Sequence, residues 1–191
     1  MYGGMLLPDS FICLDSLKYI YDTGVSGDKM FVGELLDTTS VKNPVSKMNN
    51  RTDYHPNTKL MGCARECAAM GCYINMLETL ISQDSTAESI FTGEIKNWLN
   101  EKVKNQSINI ITAEYLGGRD NNNVLVTLDQ LMGSSFIEFH DSILGIYIPD
   151  DELLLRSKYS WLSRMSSQQV LESNNVLGKY LVLALGISVS M

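Results

Sequence analysis

The alternation of apolar and polar positions opens with Phe11, Leu14, Leu17 and Tyr21 at the three-and-four spacing of a helix, which Asp9 or Ser10 can cap and Gly24 can end. Met30 to Leu36 predicts a further turn or two of helix. Residues 37–59 are rich in Asn, Thr, Ser and Lys and are broken by Asn43-Pro44, Asn49-Asn50 and His55-Pro56, so they read as a long loop. Such a loop is functional or marks a boundary. Residues 1–58 are therefore expected to form an N-terminal appendage with its loop, and residues 59–191 the main domain.

In that domain Tyr73, Met76, Leu77, Leu80 and Ile81 carry one face of a helix. Ser85 and Glu88 form a capping box for a second helix with Ile90, Phe91, Ile95, Trp98, Leu99 and Val103 inward. Ile108 to Leu116 is apolar enough for a buried helix or a strand. Gly117 to Asn123 is a turn, and Val124 to Leu128 and Phe136 to Ile148 read as strands. Asp150 or Asp151 starts a helix through Leu153, Leu154, Tyr159 and Leu162, and Gln168 to Glu172 adds a short one. Val176 to Leu185 predicts a closing strand interrupted by Gly178. Helices followed by a small antiparallel sheet make an α+β arrangement.

Composition narrows the functional classes. A net charge of −7 without a basic cluster gives no electrostatic reason to bind nucleic acid. No apolar run reaches membrane-spanning length, and the N-terminus lacks the basic region of a secretory signal. Three of the four cysteines, Cys63, Cys67 and Cys72, crowd into one short stretch, which suits a reducing compartment better than a disulfide framework.

Cys72 follows Gly71 and precedes the first helical face, so the pattern puts it at or near a helix N-terminus. Unpaired backbone N–H groups and the helix dipole there favour a thiolate nucleophile. Its base must come from two histidines. His55 lies in a turn-like setting, whereas His140 lies in a strand-like alternation that places Phe136, Glu138 and His140 on one face. A cysteine on a helix start with a later histidine on a strand is the order of papain-like peptidases. Asp141 falls on the opposite face, so a dyad without a third carboxylate is expected.

Met70-Gly71-Cys72-Tyr73-Ile74-Asn75 resembles the Gly-Tyr-Cys-Tyr-Ile-Asn signature of the potyviral helper-component proteinases, self-cleaving cysteine peptidases with bymovirus and hypovirus relatives. Phe91-Thr92, Ile110 to Leu116, Val124-Leu125-Val126 and His140-Asp141-Ser142 are similar to family segments in the same order. The resemblance implies a papain-like fold, with helices packed on a small antiparallel sheet over residues 59–191, and a helix at Ile108 to Leu116. It also implies a viral endopeptidase needing no cofactor or metal, acting in the host cytoplasm. Its substrate would be its own polyprotein, cut in cis at the C-terminus.

In that reading Cys72 attacks the scissile carbonyl and His140 carries the proton. The backbone around Gly71 and Cys72 meets the oxyanion. Asn75, one turn beyond Cys72, and Glu138 are possible supporting residues. Ser188, Val189, Ser190 and Met191 are expected as a product tail in the cleft, with Met191 or Gly186 as the acyl residue. Two alternatives stand beside it. His55, Cys63, Cys67 and Cys72 could supply four zinc ligands. Alternatively the cysteines are structural, and the chain is a non-enzymatic viral or host-interaction module.

Overall fold

The computed structural model describes residues 2–36, 54–83, 87–155 and 157–186. Its strands are β1 (Gly4–Leu6), β2 (Phe11–Cys13), β3 (Phe31–Glu34), β4 (Pro56–Cys63), β5 (Asn109–Ile111) and β6 (Gly145–Tyr147). Its helices are α1 (Leu17–Gly24), α2 (Ala68–Ser82), α3 (Glu88–Lys104), α4 (Leu128–Leu131), α5 (Asp150–Leu155), α6 (Ser167–Leu171) and α7 (Val176–Ala184). The fold is α+β, and the described residues form two compact units.

The first unit holds a four-stranded mixed sheet in the order β1-β4-β3-β5, with β3 and β5 parallel and the other pairs antiparallel. It also holds α1, α2 and α3. Phe31, fully buried on β3, explains how α1 docks. Its ring lies between Gly24, the last residue of α1, and Gly62 on β4, with the Tyr21 ring edge-on at 6.5 Å. A Cβ at Gly62 would come within 2.6 Å of two ring carbons, so the sheet accepts this aromatic only because glycine lines its slot. A second cluster joins Met30, Val32, Cys63, Cys67, Tyr73, Leu99, Val103 and Ile108, with Trp98 tilted on Tyr73 at 5.5 Å.

The second unit pairs β2 with β6, and its core is built from Ile12, Val126, Leu131, Ile137, Phe139, Ile146, Val176 and Leu177. Thr127 caps α4 through a box with Gln130, and Ser166 caps α6 in the same way with Gln169. The buried Asn175 caps α7, its Oδ1 accepting the Gly178 N–H at 2.7 Å.

Several elements differ from the sequence expectation. Residues 2–36 do not form the expected appendage, because β1 and β3 hydrogen-bond to β4 on its two sides. The helical spacing after Phe11 gives way to a strand, since Ile12 is buried by pairing with β6, and α1 starts only at Leu17. Met30 to Leu36 supplies the central strand β3 (Phe31–Glu34), every residue of which is buried. A short continuous apolar run suits a buried strand and a helix equally. The same ambiguity reverses the last element, which is the helix α7. Ile108 to Leu116 supplies only the short β5. Val124 to Leu128 makes only an isolated bridge, Arg119 to Leu125, in place of a strand, and of Phe136 to Ile148 only β6 (Gly145–Tyr147) is a regular strand, Phe139 making an isolated bridge to Asp120. The Ser85 cap and most of the 37–59 loop lie outside the described residues, and Ala87 holds the N-cap position of α3 without a side-chain cap hydrogen bond.

Candidate functional site

Cys72 is the exposed cysteine of the four: Cys63 and Cys67 are buried and Cys13 is half-buried. The burial of its neighbours follows from one helix turning over one sheet. Tyr73 is the buried residue of α2, so Cys72 and Ile74, flanking it, turn outward. The helix, however, begins earlier than the sequence suggests. Cys67 is the N-cap and Ala68 the first helical residue. The Gly71 N–H already donates to the Cys67 carbonyl at 3.2 Å. The free donors of the helix start therefore belong to residues 67–70, and the Cys72 N–H lies inside the ladder. This corrects the expectation that Gly71 and Cys72 offer backbone N–H groups to an oxyanion.

Asn75 lies on the same side of α2 one turn further on and is exposed. Its carbonyl accepts the Thr79 hydroxyl at 2.8 Å, while its side-chain amide makes no hydrogen bond among the described residues. Cys63 and Cys67 behave differently. Burial, followed by the neighbouring Cys67, pushes the Cys63 thiol above its ordinary range, and burial does the same to Cys13. The Cys67 thiol donates to the Asp28 carbonyl at 3.6 Å. Among the described residues no group of three or more Cys, His, Asp or Glu side chains could hold a metal ion, so His55, Cys63, Cys67 and Cys72 do not converge as a zinc site.

His140 belongs to the second unit and Cys72 to the first. The imidazole is half-buried and edge-on to the Tyr115 ring at 6.0 Å. Its Nδ1 accepts the Ser142 N–H at 3.2 Å, and its carbonyl accepts the Ile143 N–H at 3.0 Å. A neutral ring held in this way carries its proton on Nε2. The expected alternation is present without a regular strand: Ile137 and Phe139 are buried, and Phe136 and Glu138 are exposed. The Glu138 carboxylate accepts from the Asn121 amide at 3.4 Å, and Asp141 is exposed. The backbone N–H of His55 donates to Glu34 at 3.2 Å. Ser188, Val189, Ser190 and Met191 lie outside the described residues.

Polar groups that the hydropathy pattern passes over also stand out. Glu34 is fully buried on β3, and the equally enclosed Arg119 donates to the Asn123 carbonyl at 2.8 Å. Asp129 on α4 accepts from Lys158 at 2.5 Å and from the buried Tyr159 hydroxyl. The hydrogen bond to Asp129 raises the Lys158 ammonium above its usual range, whereas burial, reinforced by the same carboxylate, raises the Tyr159 phenol. Glu34 interrupts an apolar run, and that was the signal available for it; Arg119 lies in the polar 117–123 turn and had none.

No protein-family model, curated protein or solved structure matches this chain. No helix among the described residues is long and apolar enough to cross a membrane.

Proposed function

We propose that the chain is a viral papain-like cysteine endopeptidase that cuts its own polyprotein in cis in the host cytoplasm, with Cys72 as nucleophile and His140 as its acid and base. The observation that supports it is the exposure of Cys72, the remaining three thiols being wholly or partly enclosed. A nucleophile must reach a carbonyl, and exposure is the property that separates a reactive thiol from a packing one. The Gly71-Cys72-Tyr73-Ile74-Asn75 motif supports the same residue.

The helix start changes the chemistry from the simplest papain scheme. With the Cys72 N–H inside the ladder, the oxyanion needs a side-chain donor. Asn75 has the position and a side-chain amide without another partner among the described residues. His140 takes the thiol proton at Nδ1, which requires the Ser142 contact to open, and returns it from the same nitrogen to the leaving amine, its Nε2 proton staying in place. Cell-free synthesis of a chain extended beyond Met191 tests the proposal. The wild type and the Cys63→Ser and Cys67→Ser variants should release a product, and Cys72→Ala should not. Release that survives Cys72→Ala would overturn it.

The position of Cys72 in the second turn of α2, away from the free donors, favours a second reading: a non-enzymatic interaction module with structural cysteines. Absence of any release from a folded, extended wild-type chain would select that reading.

A further inference from the structure

β5 is an outer strand of the four-stranded sheet, and its register shows which groups it leaves open. The Asn109 N–H donates to the Met30 carbonyl at 2.9 Å, and Phe31, Val32 and Gly33 lie opposite Asn109, Ile110 and Ile111. In a parallel ladder alternate residues bond the same neighbour. Asn109 and Ile111 therefore turn their main chains to β3, and the Ile110 N–H and C=O face outward. Among the described residues nothing bonds them. The strand is held in place from its other end, because the Asn109 amide donates to the Gly24 and Ser26 carbonyls at 2.8 and 2.9 Å.

Two clefts flank this edge, of about 530 and 750 Å³, and Lys29, Asn109 and Ile110 line both. The first adds Lys104, Tyr54 and an apolar floor of Val103 and Ile108. The second adds Tyr19 and Asp22. In a chain of net charge −7, Lys29 and Lys104 are notable for forming no ion pair among the described residues. The carboxylate of Asp22 is already paired with Lys18. Among the described residues the edge thus presents one free main-chain donor, one free acceptor, apolar walls and two cations without an ion pair.

We propose that the outer edge of β5 binds an extended acidic peptide as an added strand. Ile110 exchanges its N–H and C=O with the peptide main chain. Successive peptide side chains alternate between the two clefts, and carboxylates meet Lys29 and Lys104. Free strand edges are ordinarily blunted, and lysine is one of the residues that does it. Here the lysines also select the sign of what can add. The proposal does not use the Cys72 thiol.

The test is fluorescence anisotropy with labelled acetyl-Glu-Val-Glu-Val-Glu-amide, titrated with the full chain, against the same peptide with lysine in place of glutamate. The glutamate peptide should bind at least about tenfold more tightly, and the preference should shrink with salt. Ile110→Pro deletes the outward N–H without removing a bond to β3, so binding should fall about tenfold or more with the fold retained. Cys72→Ala, which lies outside both clefts, should bind as the wild type does. As a readout independent of folding variants, hydrogen exchange at the Ile110 amide of the wild type should slow when the glutamate peptide is present. Equal binding of both peptides, or an Ile110 amide whose exchange the peptide does not change, would overturn the proposal.

Discussion

Replacing Gly24 by alanine should destabilise the first unit, although the same change at an open helical position stabilises. Gly24 closes α1 without a left-handed backbone, so alanine there would ordinarily add about 0.5–1 kcal/mol by propensity and by restricting the unfolded chain. Against this, the new methyl would overlap three Phe31 ring atoms, with Cε1 at 2.7 Å where 3.4 Å begins ordinary contact. Phe31 is fully buried and flanked on its other side by Gly62, so the ring has little room to yield. Overpacking of this kind costs about 1–3 kcal/mol, leaving a net loss of up to about 2.5 kcal/mol. Phe31→Ala alone should cost about 3–5 kcal/mol. In that background the overlap is gone, and Gly24→Ala should change sign and stabilise by about 0.5–1 kcal/mol. The cycle therefore predicts a coupling of about 1–3 kcal/mol between the two positions. Urea unfolding followed by Trp98 emission in a Trp161→Phe background reports it, because Trp98 packs on Tyr73 in the first unit. Additive effects within about 0.5 kcal/mol, or a stabilising Gly24→Ala in the parent, would refute the wedge between Gly24 and Gly62.

The four cysteines should separate by reactivity at neutral pH, with Cys72 alkylated first and all of them reacting in denaturant, as peptide mapping after iodoacetamide pulses will show. Stability should fall at alkaline pH. The Cys63 and Cys13 thiols are raised in the fold, so their contribution is complete below the unfolded thiol value of about 8.5 and is lost as pH rises through the higher folded values. Denaturant midpoints from pH 7 to 10 measure this, and Cys63→Ala should flatten the profile. Asn175→Ala should cost about 1–2 kcal/mol by opening the Gly178 N–H at the start of α7, readable from thermal unfolding. If Asn75 meets the oxyanion, Asn75→Ala should slow self-processing by about 10²-fold or more in time courses while leaving Cys72 alkylation unchanged.

The α+β class and the helices α2 and α3 were legible because their apolar residues recur over several turns, long enough for the helical period to exclude strand pairing. Shorter elements were not. Phe11, Leu14 and Leu17 fit a helix, yet Ile12 gains more by burial against β6. Val176 to Leu185 fits a strand, yet Asn175 supplies the cap that starts a helix. The mixed sheet was hidden because β1, β3 and β4 meet across a long intervening segment, a pairing that periodicity does not encode. At the candidate site the sequence singled out Cys72 but placed it one turn too near the helix start. Glycine before a cysteine reads as a beginning, whereas Cys67 and the buried cluster around Tyr73 set the actual one. The outward alternation of Glu138 was readable from its apolar neighbours; the Ser142 N–H on His140 was not, because it depends on a local turn.

The central claim, nucleophilic attack by Cys72, is tested most directly by looking for the acyl-enzyme. An extended chain is synthesised, quenched in acid at short times and weighed intact. Cleavage in cis through Cys72 predicts a transient product lighter by one water than the hydrolysed form, because the new C-terminus is held as a thioester. That species should disappear on adding hydroxylamine, map to the peptide containing Cys72, and be missing from Cys72→Ala. A chain that is cleaved at the same rate in the Cys72→Ala variant, with only the hydrolysed mass at every time point, would contradict the account.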